Sequence, residues 1–173
     1  GLYYGKLIKS AKNLVAKTEI TKYVLPIDHK NKRMKAEEFI LRFWTLSLDF
    51  NNYKGSLAAS INNYIEKNKN EDDLISLEEN FKETFDLVTR TFGDYSFLTF
   101  SIDKQGDFQK LKFNAALYDA LMVGFYENKK SGTLKVSSQK INNVKKLYEL
   151  FQSDKEFVKN ISQATGNKNS IKY

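Results

Sequence analysis

The stretch KRMKAEEFILRFW, from Lys32 to Trp44, decides the fold because it opens the most apolar helix that the sequence predicts. On a helical wheel at about 100° per residue, the apolar side chains between positions 39 and 50 occupy an arc of about 220°. A helix with so wide an apolar face is buried on most of its sides. We therefore predict that a helix spanning residues 33–50 is the central element of the fold.

The same stretch contains two of the three arginines in a chain whose other 25 basic residues are lysines. Arg42 shares the narrow polar stripe of the wheel with Glu38, which precedes it by the four residues that favour an ion pair. Arg33 and Glu37 have the same spacing but face the apolar side. A guanidinium stays charged when partly buried and binds a carboxylate through two parallel hydrogen bonds. Each arginine is therefore predicted either to form a structural ion pair that joins helices or to reach a ligand phosphate or another domain.

Helical periodicity continues on both sides of this helix. Pro26 interrupts it, because proline lacks a backbone N–H and disfavours helix at the residue before it. Ser56 is a predicted N-cap, and two capping-box sequences, Ser76–Glu79 and Ser153–Glu156, predict further helix starts. Helices are predicted for residues 2–17, 33–50, 56–67, 76–92, 114–126 and 141–151, with short helices after residues 18 and 153.

Only one segment has an ambiguous pattern. Residues 95–102 are predicted to be either a 3₁₀ turn or an extended piece, and residues 103–107 to be a loop. The sequence does not repeat with a period of 20–50 residues, so a repeat architecture is not predicted. The sequence therefore predicts an all-α fold: a single helical domain, residues 1–173, of about six or seven helices around the central apolar helix 33–50.

Composition excludes several kinds of site. The chain has no cysteine and one histidine, His29, so it cannot form a disulfide, a thiolate zinc site, a thiol nucleophile or a polyhistidine site. It has no phosphate-binding glycine loop, and no catalytic constellation is visible, so neither a cofactor nor a catalytic residue is predicted. The longest stretch without charge, residues 55–65, is too short to span a membrane, and no signal peptide opens the chain. We expect a cytoplasmic location, and the first residue, Gly1, suggests that an upstream segment was removed.

The net charge of +7 is concentrated towards the N-terminus. Residues 1–35 carry nine basic and two acidic side chains, whereas residues 36–94 carry six basic and twelve acidic ones. Clustered positive charge is typical of a surface that binds a phosphate backbone or an acidic partner. The candidate nucleic-acid-binding residues are Lys30, Lys32, Arg33 and Lys35. The alternative is that these lysines are ordinary solvated surface.

Asp119 lies between apolar neighbours on its predicted helix, beside Leu111 and Met122 on the wheel. A carboxylate in such surroundings is buried only if it is hydrogen-bonded or paired. Asp119 is therefore predicted to be a hydrogen-bonded structural residue, with a functional role as the alternative.

Several pieces of the chain, in order, resemble motifs of one protein family. Arg33-Met-Lys-Ala-Glu-Glu-Phe-Ile-Leu-Arg-Phe43 is similar to R-x-x-D-x-E-x-x-L-R-F in the helical C-terminal half of the domain of unknown function 262 family, bacterial proteins related to the N-terminal domain of GmrSD-type restriction endonucleases. Phe113-Asn-Ala-Ala-Leu-Tyr-Asp-Ala-Leu-Met122 resembles the family's F-N-x-A-L-[FY]-D-A-[LI]-M helix. Shorter similarities are Leu2–Gly5 to L-Y-x-G, Asn52–Leu57 to N-Y-K-x-x-L, Phe92-Gly93 to a helix end, and Thr165–Ser170 to a stretch near the family's C-terminus.

The resemblance covers essentially the whole chain but not the parts of the family that would carry chemistry. Ala36 stands where the family often has Asp, so any role of that acid is absent or has moved to Glu37. The D-G-Q-Q-R motif of the family's N-terminal ParB-like domain does not occur, and neither does the HNH-type nuclease domain of larger members. The resemblance implies a helical portion whose motif residues Glu37, Glu38, Arg42, Asn114 and Asp119 have structural or interdomain roles.

Three functions follow from these observations. The first is a non-catalytic helical module of a restriction- or phage-defence-type multidomain protein, whose partners are the missing N-terminal ParB-like domain and DNA bound through residues 6–35. The second is a stand-alone nucleic-acid-binding or protein-interaction domain. The third, ranked last because no catalytic constellation is visible, is an enzyme in its own right. The oligomeric state does not follow from the sequence.

Overall fold

The computed structural model describes residues 5–24, 32–53 and 55–162, with the side chains of residues 32–35 and 162 outside the description. The predicted break at Pro26, most of the loop at 28–32 and the tail from Ala164 lie outside these ranges. Among the described residues, none of the helices combines the length and apolar character needed to cross a membrane. The helices are α1 (Lys6–Lys17), α2 (Ile20–Tyr23), α3 (Lys32–Leu48), α4 (Leu57–Asn68), α5 (Leu74–Phe92), α6 (Ala115–Lys130), α7 (Lys140–Ser153) and α8 (Lys155–Ser162).

Helix α3 is the central element, as its apolar arc predicts. It packs against α1, α2, α4, α5 and α6. Ile40 and Trp44 on this helix are completely buried, and Phe43 and Leu46 are nearly so. The one polar atom of the Trp44 ring, Nε1, donates a hydrogen bond to the Leu77 carbonyl of α5 at 3.0 Å. Burying an indole without such a partner would be unfavourable, so this bond fixes α5 against α3.

The fold is mainly helical but not all-α, because residues 98–113 form a β-hairpin. The extended alternative predicted for residues 95–102 is confirmed at residues 98–102, whereas the strand at residues 108–113 was not predicted. Strand β1 (Leu98–Ile102) pairs antiparallel with β2 (Phe108–Phe113). The loop between them is closed by Asp103, whose Oδ1 accepts the backbone N–H groups of Gln105 and Asp107, both at 2.9 Å. Gly106 has φ +89°, a conformation that glycine adopts without strain. The predicted loop at 103–107 is thus the turn of a hairpin.

Of the three helix N-caps that the sequence predicts, one is confirmed and two are wrong. The Ser56 hydroxyl caps α4 by accepting the Ala59 N–H, as predicted. Helix α5 begins before the predicted capping box, because Asp73 accepts the Ser76 N–H and becomes the cap in place of Ser76. Helix α8 is capped by Asp154, which accepts the Phe157 N–H at 2.8 Å, and not by Ser153. In both errors an aspartate near the predicted serine forms the cap.

Candidate functional site

The candidate site lies where α6 crosses α3, and the start of α6 determines its position. Asn114 caps this helix, because its Oδ1 accepts the Leu117 N–H at 2.8 Å. The other end of the same amide donates to the Ile161 carbonyl of α8 at 2.8 Å. One side chain therefore starts α6 and ties it to α8. This start places Asp119 on the second turn of α6, facing α3.

Arg42 and Asp119 form a buried ion pair between these two helices. The Arg42 Nε donates to Asp119 Oδ1 at 3.0 Å, and Nη2 donates to Oδ2. Arg42 is 5% exposed and Asp119 4% exposed. Both carboxylate oxygens are thus occupied by one guanidinium, in the two-bond geometry that arginine supplies and lysine cannot. The pair is closed to solvent, which suits a connection between helices and not contact with a substrate.

Aromatic side chains surround the pair. The Phe39 ring lies 5.0 Å from the Arg42 guanidinium carbon. Phe39 also packs edge-on against Tyr118, with ring centroids 4.8 Å apart. The Tyr118 hydroxyl, which is fully buried, donates to the Phe39 carbonyl at 3.0 Å. Helices α3 and α6 are therefore joined by an ion pair, a hydroxyl–carbonyl bond and an aromatic contact within two turns of each helix.

Burial controls the ionisation of this cluster. It raises the pKa of Asp119, and the charge and hydrogen bonds of Arg42 oppose that rise. Burial acts to lower the pKa of Arg42, but attraction to Asp119 outweighs it and the pKa is raised. The pKa of Tyr118 is raised well above its usual value by burial and then by the Asp119 charge. Tyr53, near the start of α4, has its pKa raised for the same two reasons. The Arg42 guanidinium is the cation of this cluster and Tyr118 is its neutral hydroxyl donor.

The other predicted site residues lie at the edge of this cluster or outside the description. A Glu38 carboxylate oxygen is 3.6 Å from Arg42 Nη1, but the Glu38 side chain is 52% exposed, so it is the weaker partner. Glu37, which precedes Glu38 on α3, is half-buried. Its predicted partner Arg33 has a side chain outside the described part, as have Lys32 and Lys35, and Lys30 lies outside the description altogether.

Sequence reasoning placed Arg42 and Asp119 separately but did not pair them. It also placed Leu111 beside Asp119, which is wrong because Leu111 belongs to β2 and is 62% exposed. The signal that was available is that each residue is flanked by apolar residues in the sequence. Two such charges of opposite sign are each costly to bury alone, so they are candidates for each other's partner.

In the described ranges, no three Asp, Glu or His side chains group as a metal site would require. Comparison with protein-family models, with curated proteins and with solved structures gives no match to this chain.

Proposed function

We propose that this chain is a non-catalytic helical module of a restriction- or phage-defence-type multidomain protein, in which it supports a ParB-like nucleotide-dependent domain. The proposal rests on the resemblance to the domain of unknown function 262 family. It is supported by where the residues that carry that resemblance lie in the fold.

The observation that carries the proposal is that two distant motif pieces meet in the core. Arg42 belongs to the piece from Arg33 to Phe43 that resembles R-x-x-D-x-E-x-x-L-R-F, and Asp119 belongs to the piece that resembles F-N-x-A-L-[FY]-D-A-[LI]-M. They form the buried ion pair, and Tyr118 adds its bond to Phe39. Asn114, from the same second piece, caps α6 and contacts α8. These contacts give the motif residues structural roles, which supports the non-catalytic part of the proposal.

Two shorter pieces also have packing roles. Gly5, the last residue of the L-Y-Y-G piece, lies so close to the end of α4 that a Cβ atom there would be 2.8 Å from the Lys69 carbonyl oxygen. Tyr53, from the N-Y-K piece, is 2% exposed and close enough to Asp119 for the carboxylate to raise its pKa. The glycine is therefore explained by a close backbone approach, and the tyrosine by burial.

The test is the coding sequence that adjoins this chain in its genome. A continuous reading frame that adds a D-G-Q-Q-R-containing domain before Gly1 supports the proposal. A start codon directly before Gly1, with no such domain encoded beside it, contradicts it. A second measurement is binding of the separately expressed ParB-like domain to this chain by isothermal titration calorimetry. Nucleotide hydrolysis or DNA cleavage by this chain alone would contradict its non-catalytic role.

Direct contact with nucleic acid is a second proposed activity, favoured by the exposed face of α1. Lys6, Lys9 and Lys12 line a cleft of about 360 Å³ on this helix. Some of this charge is already used, because Lys6 Nζ lies 2.7 Å from an Asp72 oxygen. The cleft belongs to the same basic N-terminal third as the predicted residues Lys30, Lys32, Arg33 and Lys35. Duplex-DNA binding measured by fluorescence anisotropy at low salt tests this activity.

A further inference from the structure

A groove of about 270 Å³ lies between α5, α6, α7 and the segment that joins α6 to α7. Most of its lining is apolar, and the exposure of these side chains ranges from buried to open. Val136 is the most open of them, at 43% exposed. The other apolar lining residues are the buried Phe92 and Leu147 and the half-buried Leu121, Phe125, Leu134 and Leu150.

The wall that carries Val136 is held in place by hydrogen bonds. Asn143 of α7 is 5% exposed, and its Oδ1 accepts the Ser137 N–H at 2.8 Å. Its Nδ2 donates to the carbonyls of Ser137 at 2.8 Å and Thr91 at 3.3 Å. One buried amide thus ties the joining segment to both α7 and α5. A groove held open in this way can receive a ligand without first ordering its own wall.

The rim of the groove is positively charged. Residues 128–148 contain six lysines and no aspartate or glutamate. Lys135 and Lys146 line the groove, and both are exposed. The nearest acid along α7, Glu149, lies about 60° further round the helix than Lys146, on the side away from the groove. Of the six lysines, Lys129 forms an ion pair with Glu83 of α5.

The size and chemistry of the groove select one kind of occupant. Its volume of about 270 Å³ is small beside the roughly 300–1,000 Å³ of small-molecule sites, and the exposure of Val136 shows that the groove is open on one side. A nucleic acid has no aliphatic side chain to fill a space lined by leucine, valine and phenylalanine. A peptide fills it by inserting one or two large apolar side chains, the usual anchors of helix-in-groove binding. Carboxylates beside such anchors would complement the lysine rim.

We infer that this groove binds an acidic peptide segment of a partner protein. One or two apolar side chains of that segment insert between α6 and α7, and its carboxylates contact Lys135 and Lys146. This interaction goes beyond the proposed function and does not depend on the identity of the family.

A displayed library of random peptides of about twelve residues, selected on the purified chain, tests the inference. The enriched sequences should carry Asp or Glu beside Leu, Ile or Phe. The best of them, labelled with fluorescein, is then measured by anisotropy. Val136→Asp and the double change Lys135→Glu/Lys146→Glu should each weaken binding by about tenfold or more. The matched control, Lys82→Glu/Lys104→Glu, changes two exposed lysines elsewhere and should leave the affinity within about twofold.

A charge exchange separates specific binding from a loss of folding. The same peptide with lysine in place of each acid should bind poorly to the unaltered chain. It should bind better to the Lys135→Glu/Lys146→Glu variant, which an unfolded variant could not do. Circular dichroism melts establish that every variant is folded.

Two results would overturn the inference. One is the absence of any enriched sequence, and the other is enrichment of peptides that lack acids or that bind the Val136→Asp variant equally well. If no peptide is enriched and a duplex DNA of about twenty base pairs binds in a way that depends on Lys135 and Lys146, the surface is a nucleic-acid site.

Discussion

Arg42 and Asp119 are 77 positions apart in the chain and form a two-bond ion pair inside the core. Each would be strongly unfavourable there without the other, because a buried charge has lost its hydration. Helices α3 and α6 can therefore pack with these faces in contact only if the two buried charges form an ion pair. We therefore expect the pair to affect which arrangement of the two helices forms more than how stable that arrangement is.

Removing only the carboxylate should be severely destabilising. Asp119→Ala leaves the Arg42 guanidinium buried without its anion, so we expect the free energy of unfolding to fall by about 3–5 kcal/mol. The double change Arg42→Met/Asp119→Leu removes both charges and should be less destabilising than Asp119→Ala alone. Urea unfolding followed by circular dichroism measures all of these values.

Glu38→Ala is the matched control for this experiment. Glu38 is the spacing-rule partner of the same arginine but is half exposed, so its loss should change the stability by less than about 0.5 kcal/mol. If Glu38→Ala were as destabilising as Asp119→Ala, Glu38 would be the main partner of Arg42.

The Tyr118 hydroxyl gives a second test of the α3–α6 contact. Tyr118→Phe keeps the ring contacts with Phe39 but removes the bond to its carbonyl, so we expect a loss of about 1 kcal/mol in the same unfolding assay. Tyr148→Phe is the control, since no described residue is hydrogen-bonded to the Tyr148 hydroxyl. Equal effects of the two changes would show that the bond to Phe39 contributes nothing of its own.

The central position of α3 could be predicted from the sequence because it depends on the periodicity of one continuous segment. The partner of Arg42 could not. Glu38 satisfies a local spacing rule, whereas the contact with Asp119 depends on how α3 packs on α6. The sequence could indicate only that Asp119 was a charge among apolar neighbours.

Strand β2 was missed because it does not alternate in the way that a half-buried strand does. Residues 109–112 are all exposed, and the only clear packing of β2 comes from its two ends, Phe108 and Phe113. The available signal was the short loop with Gly106, between two segments that contain phenylalanine.

The two misplaced helix caps have a different cause. Asp73 and Asp154 compete with the serines that the capping-box pattern selects.

Two glycines should respond to alanine in opposite directions. At Gly5 a Cβ would approach the Lys69 carbonyl oxygen to 2.8 Å, so Gly5→Ala should destabilise the chain by about 1–3 kcal/mol. Gly124 is inside α6 with open space around it, so Gly124→Ala should stabilise the chain by about 0.5–1 kcal/mol. Thermal unfolding of both variants measures the difference, and a stabilising Gly5→Ala would disprove the close approach of α1 to α4.

Acid should weaken the hairpin turn through Asp103. Backbone N–H groups of the turn, that of Asp107 first, lower the pKa of this carboxylate below its usual value. Because the pKa is lower in the folded state, the ionised carboxylate stabilises the fold at pH values above its usual pKa of about 3.9. This stabilisation is lost as the pH falls through the folded-state pKa. Asp103→Asn should therefore unfold at a lower temperature than the unaltered chain near pH 7, and the gap should narrow below about pH 4. A gap that stays constant with pH would mean that the charge of Asp103 is irrelevant to the turn.

Binding of duplex DNA should depend on the basic residues before and at the start of α3. Changing Lys30, Lys32, Arg33 and Lys35 to glutamine removes up to four phosphate contacts, so the slope of log affinity against log salt should become shallower by about 3 to 4. The control changes four exposed lysines elsewhere, Lys82, Lys104, Lys112 and Lys155, and should leave the slope nearly unchanged. Fluorescence anisotropy across a salt series measures both slopes. An equal decrease of the slope in the two variants would mean that DNA binding depends only on the net charge. If no DNA binds at low salt, DNA contact is removed from the proposed function. The structural role of the Arg42–Asp119 pair would be unaffected by that result.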